Sequence, residues 1–187
     1  LISGWINQQL VQENAMAVQN NFPKFKYHPN LYELGILDRF HGACECCGEE
    51  SDVFYQGLYC TEDVDYICLN CIASGRAAAK FDGAFNHDHE RVDSPEAVDE
   101  LEHRTPGYLS WQDHIWPACC NDFCAYLGPV GTKELEDLGI ADDLFEEDGS
   151  FDGWEGARND LEKDGWLSGL LFRCLHCGGY RLIIEAG

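Results

Sequence analysis

Cysteine spacing constrains this chain more than any other feature. Four pairs stand at metal-ligand separation: Cys44 with Cys47, Cys68 with Cys71, Cys120 with Cys124, and Cys174 with Cys177. A CxxC turn offers two thiolates from one tight loop, and two such turns complete the tetrahedron that zinc prefers, leaving no position open. Three pairs obey that spacing. The fourth has one residue more, which zinc modules tolerate and which suits a turn entering a helix. The pairs predict two structural zinc ions, each held by four thiolates.

Of the 11 cysteines, Cys46, Cys60 and Cys119 fall outside the pairs. An odd total argues against a fully oxidised disulfide framework. Unpaired cysteines are small buried apolar residues by default. Cys46 and Cys119 differ because each adjoins an assigned ligand and is an alternative to it. No apolar run approaches a membrane span, and the first residues lack the charged start and small-residue cleavage site of a secretion signal. A reducing cytoplasm is therefore the expected compartment. The sequence begins at Leu1 without an initiator methionine, so an upstream targeting segment stays open.

Charge is the second extreme, with 34 acidic against 12 basic residues and a formal net of -22. Four thiolates around one divalent ion add about -2 more per site. Nucleic acid is bound by neutralising phosphates with Lys and Arg, so a direct nucleic-acid partner is not expected. With 45% hydrophobic residues, including 10 Phe, 8 Tyr and 5 Trp, the chain can fill a core of its own.

Read in order, the residues give an α+β protein with two zinc-stapled lobes. Residues 1–21 carry Ile2, Trp5, Ile6, Leu10 and Val18 at helical spacing and predict an amphipathic helix. The first lobe, 22–105, opens on an extended segment with Pro23 and Pro29. It continues with the knuckle at Cys44–Cys47, where Gly48 lets the chain turn under the metal, and a hairpin over Asp52 to Tyr59. A helix from Cys68 to Phe81 follows, an order resembling a treble-clef finger. Ser94 and Pro95 then start a second helix, which Pro106 and Gly107 end. The second lobe, 106–187, holds the other two pairs, with an acidic helical insert at 132–168 between them. Its close, LFRCLHCGGYRLIIE, puts a knuckle between two strands as in a zinc ribbon.

Other polar groups suggest less. The NHDHE run at Asn86 to Glu90 is wholly polar and reads as a solvated loop. His28, His41, His103 and His114 show no spacing that demands chemistry and read as structural groups. No nucleophile elbow, phosphate loop or HExxH pattern occurs, and sites closed by cysteine leave no exchangeable water, so an enzyme is not expected.

Several motifs together resemble the CbrC family of bacterial proteins: FKYHP (Phe25 to Pro29), the CxCC knuckle (Cys44, Cys46, Cys47), CLNCIASGRAAAKF (Cys68 to Phe81), RTPGYLSWQ (Arg104 to Gln112), WPACCNDFCAYLG (Trp116 to Gly128) and LFRCLHCG (Leu171 to Gly178). The resemblance covers most of the chain from Phe22 onward. Where that family carries His before the first cysteine of its third motif, this sequence has Cys119, an alternative ligand here if that His is a ligand in the relatives. It implies a setting, tolerance of bacteria to nuclease colicins, and no reaction. The first functional expectation is thus a non-catalytic protein that captures a basic partner such as a toxin nuclease domain. Asp142, Asp143, Glu146, Glu147 and Asp148 would meet its charge, and Phe145, Phe151 and Trp154 would anchor it. The alternatives are a zinc–thiolate redox sensor, using Cys46 or Cys119, and a regulatory adaptor.

Overall fold

A computed structural model describes residues 22–112, 115–146 and 149–187. The expected helix at 1–21, His114, Glu147 and Asp148 lie outside the described residues. The fold is α+β, with eight strands in three small antiparallel sheets and six short α-helices among the described residues. The first sheet is β1 (Asp38–Ala43), β2 (Glu50–Tyr55) and β3 (Ile67–Cys68), in that spatial order. Helices α1 (Leu69–Ala73), α2 (Arg76–Phe81) and α3 (Pro95–Arg104) follow. A hairpin of β4 (Ala118–Cys119) and β5 (Asp122–Phe123) leads into the third sheet, β6 (Ala125–Val130), β7 (Leu167–Arg173) and β8 (Tyr180–Ala186). Helices α4 (Thr132–Asp137), α5 (Ala141–Leu144) and α6 (Ala157–Asp160) occupy the insert between β6 and β7.

Three cores hold these pieces. Phe25, Val53, Phe54, Ile67 and Ile72 fill the first, beneath β2 and α1. Strand β7 divides the other two. Alternate residues of a strand face opposite sides, so Leu170 and Phe172 point into the second core with Tyr27, Leu101, Trp116 and Phe123. Leu167 and Leu171 point into the third, where Leu135, Phe145 and Leu161 of the insert cover the sheet. The continuous apolar run at the end of the chain is thus the signature of a central strand buried on both faces.

Several elements differ from the sequence expectation. The first hairpin is not the VFYQGLY stretch, because β2 pairs with β1 and the knuckle itself is the turn. That register leaves Gly57 in a loop after the strand. The helix expected over Cys68 to Phe81 is two, broken at Gly75 with φ +70. Helix α3 starts as expected, with Ser94 Oγ accepting from Ala97 N at 3.2 Å, and it ends at Arg104 because Pro106 holds Thr105 extended. In the insert, the helix expected at 154–163 is one turn, Ala157–Asp160.

Candidate metal centres

Both knuckles close in the same way. Gly48 N donates to Cys44 O at 2.7 Å and Cys44 N to Glu49 O at 2.9 Å; Gly178 N donates to Cys174 O at 3.1 Å and Cys174 N to Gly179 O at 2.7 Å. Gly48 and Gly178 both sit at φ +76, where a side chain would be strained, so each CxxCG turn folds back on its own first cysteine.

The first tetrad joins Cys44 and Cys47, in the turn between β1 and β2, to Cys68 at the end of β3 and Cys71 in α1. Its Sγ atoms lie 4.0 Å apart for Cys44 and Cys71 and 3.9 Å for Cys47 and Cys68. A tetrahedron with Zn–S bonds of about 2.3 Å has S–S edges of about 3.8 Å, so the spacing fits a zinc ion. Lys80 Nζ, from α2, donates to the carbonyls of Glu45 and Cys46 at 2.8 Å each and locks the knuckle from outside. Cys46 lies in the first core beside the tetrad and is not one of the four.

The second tetrad is Cys119, Cys120, Cys174 and Cys177. Cys119 Sγ lies 3.8 Å from Cys120 Sγ and 3.7 Å from Cys177 Sγ, again the edge of a zinc tetrahedron. The expected pairing of Cys120 with Cys124 differs from the geometry: the cluster contains Cys119 and not Cys124. A hairpin is the reason. Cys120 and Asn121 take φ +54 and +57 as the two turn residues between β4 and β5, the geometry of a type I′ turn. That turn lifts Cys119 and Cys120 to the tip. Cys124 follows the hairpin and is fully buried in the second core, where its carbonyl accepts from Trp116 Nε1 at 2.9 Å.

Each tetrad has one thiol biased toward ionisation and others held back. Burial pushes the Cys44 thiol up, but backbone N–H groups of Cys68, Cys47 and Cys46 outweigh it and bring it down to about 7. The Cys177 and His176 N–H groups bring Cys174 down to about 6. Burial pushes Cys68 up to about 11, and the neighbouring Cys174 and Cys177 push Cys119 up to about 12. Four sulfurs this close cannot all carry charge without a cation among them, which is the chemistry of a metal cage.

The sequence reading missed Asp122. Its Oδ1 accepts from Tyr27 OH at 2.5 Å, and its Oδ2 accepts from Lys26 Nζ at 2.8 Å and His176 Nε2 at 2.9 Å. It therefore joins the FKYHP segment, the hairpin tip and the second knuckle. Burial raises its pKa, but these three donors prevail and hold it at about 2. The signal was present in Cys-Cys-Asn-Asp, since Asn favours the left-handed region and marks a two-residue turn with Asp122 just beyond it.

The residues expected to bind a partner are divided. Phe145 is buried in the third core, so it offers no anchor, and Phe151 is half-buried against it. Asp142, Asp143 and Glu146 are exposed, as is Trp154. Arg158 pairs with Asp142 at 2.7 Å and Glu136 at 3.3 Å, so part of the acidic charge is neutralised within the insert. Among the histidines, His28 is fully buried and its Nδ1 donates to Pro106 O at 3.0 Å, whereas His41 is exposed beside Asp52 and Glu50. His103 pairs with Asp99 within α3.

These features define a small α+β protein built round two four-cysteine clusters able to hold metal. The chain belongs to the family described as "Uncharacterised protein family (UPF0167)", which it matches over residues 22–186. It is 35% identical over 167 residues to UPF0167 protein PA1536 of Pseudomonas aeruginosa, covering 83% of this chain and 92% of the relative. It is also 35% identical over 172 residues to UPF0167 protein Mb2317 of Mycobacterium bovis, covering 87% and 92%. UPF0167 protein MT2352 of Mycobacterium tuberculosis has the same identity and coverage. No solved structure gives a significant match. No helix among the described residues is long and apolar enough to cross a membrane.

Proposed function

We propose that this is a two-zinc, non-catalytic protein that acts by binding a basic protein partner. The first module is treble-clef-like and the second ribbon-like. In each, four thiolates complete the zinc shell and leave no position for a substrate. The tolerance or immunity-type role implied by the CbrC resemblance fits this reading, with the cationic phosphate-binding face of a toxin nuclease domain as the partner. The observation that carries it is the acidic insert: Asp143, Glu146 and Trp154 are exposed on a segment fixed to the body by the buried Leu135, Phe145 and Leu161. A rigid acidic surface speeds encounter with a cationic one and weakens as salt rises. In a pull-down against a panel of nuclease-toxin domains, capture is expected at low salt and lost at raised salt. The Asp143→Lys/Glu146→Lys variant should abolish it. Capture unaffected by both salt and that variant overturns the reading.

One observation favours a second role. Cys120 and Cys177 are exposed and Cys119 half-exposed, so oxidant can reach the second tetrad directly. We infer a zinc–thiolate redox sensor at that end of the molecule, in which two thiolates oxidise to a disulfide and peroxide is reduced to water as the metal leaves. Mild peroxide should release one zinc per chain within minutes and the second far more slowly. Simultaneous release of both, or of neither, contradicts it.

A further inference from the structure

A cleft beside the end of β2 belongs to neither metal centre. Its volume is about 500 Å³, within the roughly 300–1,000 Å³ typical of small-molecule sites. Residues of two cores line it: Tyr55 and Phe85 of the first, Trp116 and the half-buried Tyr108 of the second. The ring centroids of Tyr55 and Phe85 lie 6.0 Å apart and those of Tyr108 and Trp116 5.1 Å apart, so aromatic pairs form its walls. Tyr59, 62% exposed, stands at the rim with its ring 4.8 Å from that of His87.

Two polar groups converge there with bonding capacity unused. Asn86, the first residue of the NHDHE run, is half-buried. Its Nδ2 donates to Leu101 O at 2.9 Å and to Thr105 O at 2.7 Å, which uses both amide hydrogens and fixes the direction of Oδ1. No donor among the described residues reaches that oxygen. Tyr55 is only 7% exposed; its phenolic oxygen accepts from Gly107 N, and its own proton has no acceptor among the described residues. A Cβ at Gly107 would lie 3.1 Å from both Asn86 Oδ1 and the Tyr55 hydroxyl, so glycine keeps the space between them open. Accepting from Gly107 accounts for the Tyr55 oxygen and not for its proton. A buried donor left unpaired costs stability, so the hydroxyl points to a use beyond folding.

The pair selects the occupant. One donor beside one acceptor, not bonded to each other, is the complement of an amide edge, whose C=O would accept from Tyr55 and whose N–H would donate to Asn86. Aromatic walls favour a flat ring, which stacks on them and buries apolar surface. The described lining holds neither lysine nor arginine, in a chain of net -22, so nothing there neutralises a phosphate or carboxylate. We propose that this cleft binds a neutral planar lactam, a ring of the nucleobase type with C=O next to N–H, read by Tyr55 and Asn86.

Three probes of one shape test this on the full chain by calorimetry: isocarbostyril, which carries the lactam edge, N-methylisocarbostyril, which lacks the N–H, and isoquinoline, which lacks both groups. Isocarbostyril should bind at least about tenfold more tightly than either of the others. Tyr55→Phe should weaken isocarbostyril about tenfold and leave isoquinoline unchanged. Because that change also removes the acceptor for Gly107 N, Gly107→Ala provides a second reading: its methyl group occupies the space between the two polar groups and should abolish lactam binding. Leu138→Ala, on the insert and outside the cleft, should leave binding unchanged. If either cleft variant fails to fold, the probe series on the unaltered chain decides. N-methylisocarbostyril binding as tightly as isocarbostyril, no binding by any probe at millimolar concentration, or full isocarbostyril affinity in Gly107→Ala each overturns the proposal.

Discussion

The two tetrads share a ligand set and a knuckle fold, and they differ in what surrounds them. Cys44, Cys68 and Cys71 are buried within the first core, beneath strands and helices of two to six residues. Elements that short have little independent stability, so a metal bound there would hold this part of the chain together. In the second tetrad only Cys174 is buried, and the site staples a hairpin tip to a knuckle tip at the end of a sheet already packed on both faces. Bound metal would thus be a foundation in one region and a clasp in the other. A cysteine tetrad fixes how a metal is held, whereas the surrounding core decides what depends on it.

The sharpest way to break this comparison is to remove one ligand from each site. Cys44→Ser should forfeit most of a metal-binding free energy on the order of 10 kcal/mol, giving insoluble protein or one whose first core has lost its cooperative melt by calorimetry. Cys177→Ser should stay folded and lose about 3 kcal/mol, comparable to a lost cross-link, seen as a lower denaturant midpoint. Equal destabilisation by both would erase the distinction between foundation and clasp.

Finer tests bear on what supports the second region. Asp122→Ala removes charge-assisted bonds to Lys26, Tyr27 and His176 and should cost about 2 kcal/mol. Chelator competition should show faster zinc loss from the second site of this variant and an unchanged rate from the first. The smallest effect concerns acid. Burial lowers the His28 pKa from 6.5 to about 4, with its ring against Tyr126 of β6. Above pH 6.5 the residue is neutral in both states and costs nothing. As pH falls from 6.5 toward 4, the unfolded chain takes up the proton first, so stability should drop by about 1 kcal/mol per pH unit. His28→Asn should flatten that slope in urea melts between pH 6.5 and 5.5, and an unchanged slope would assign it to other groups.

Much of this was legible in the residues. Spacing marked six of the eight cysteines in a uniform CxxC pattern, and Ser94–Pro95 marked the start of α3. What spacing misjudged was Cys124, because a CxxxC count is blind to a type I′ turn that reverses the chain at Cys120 and Asn121. The β1–β2 pairing was hidden for a similar reason. DRFHGA is polar and largely exposed, so it lacks the alternation that reveals a half-buried strand. Phe145 looked like a surface anchor because it stands among carboxylates, yet α5 turns it inward. Ser168 and Glu185 carried no sequence signal, since only the register of β7 with β8 brings them opposite one another.

Elemental analysis of cysteine variants tests the central claim most directly. Freshly purified protein should hold two zinc ions per chain, Cys119→Ser should hold one, and Cys124→Ser should hold two. Zinc-free protein, or a Cys124→Ser variant that loses an ion while Cys119→Ser keeps both, would contradict the account.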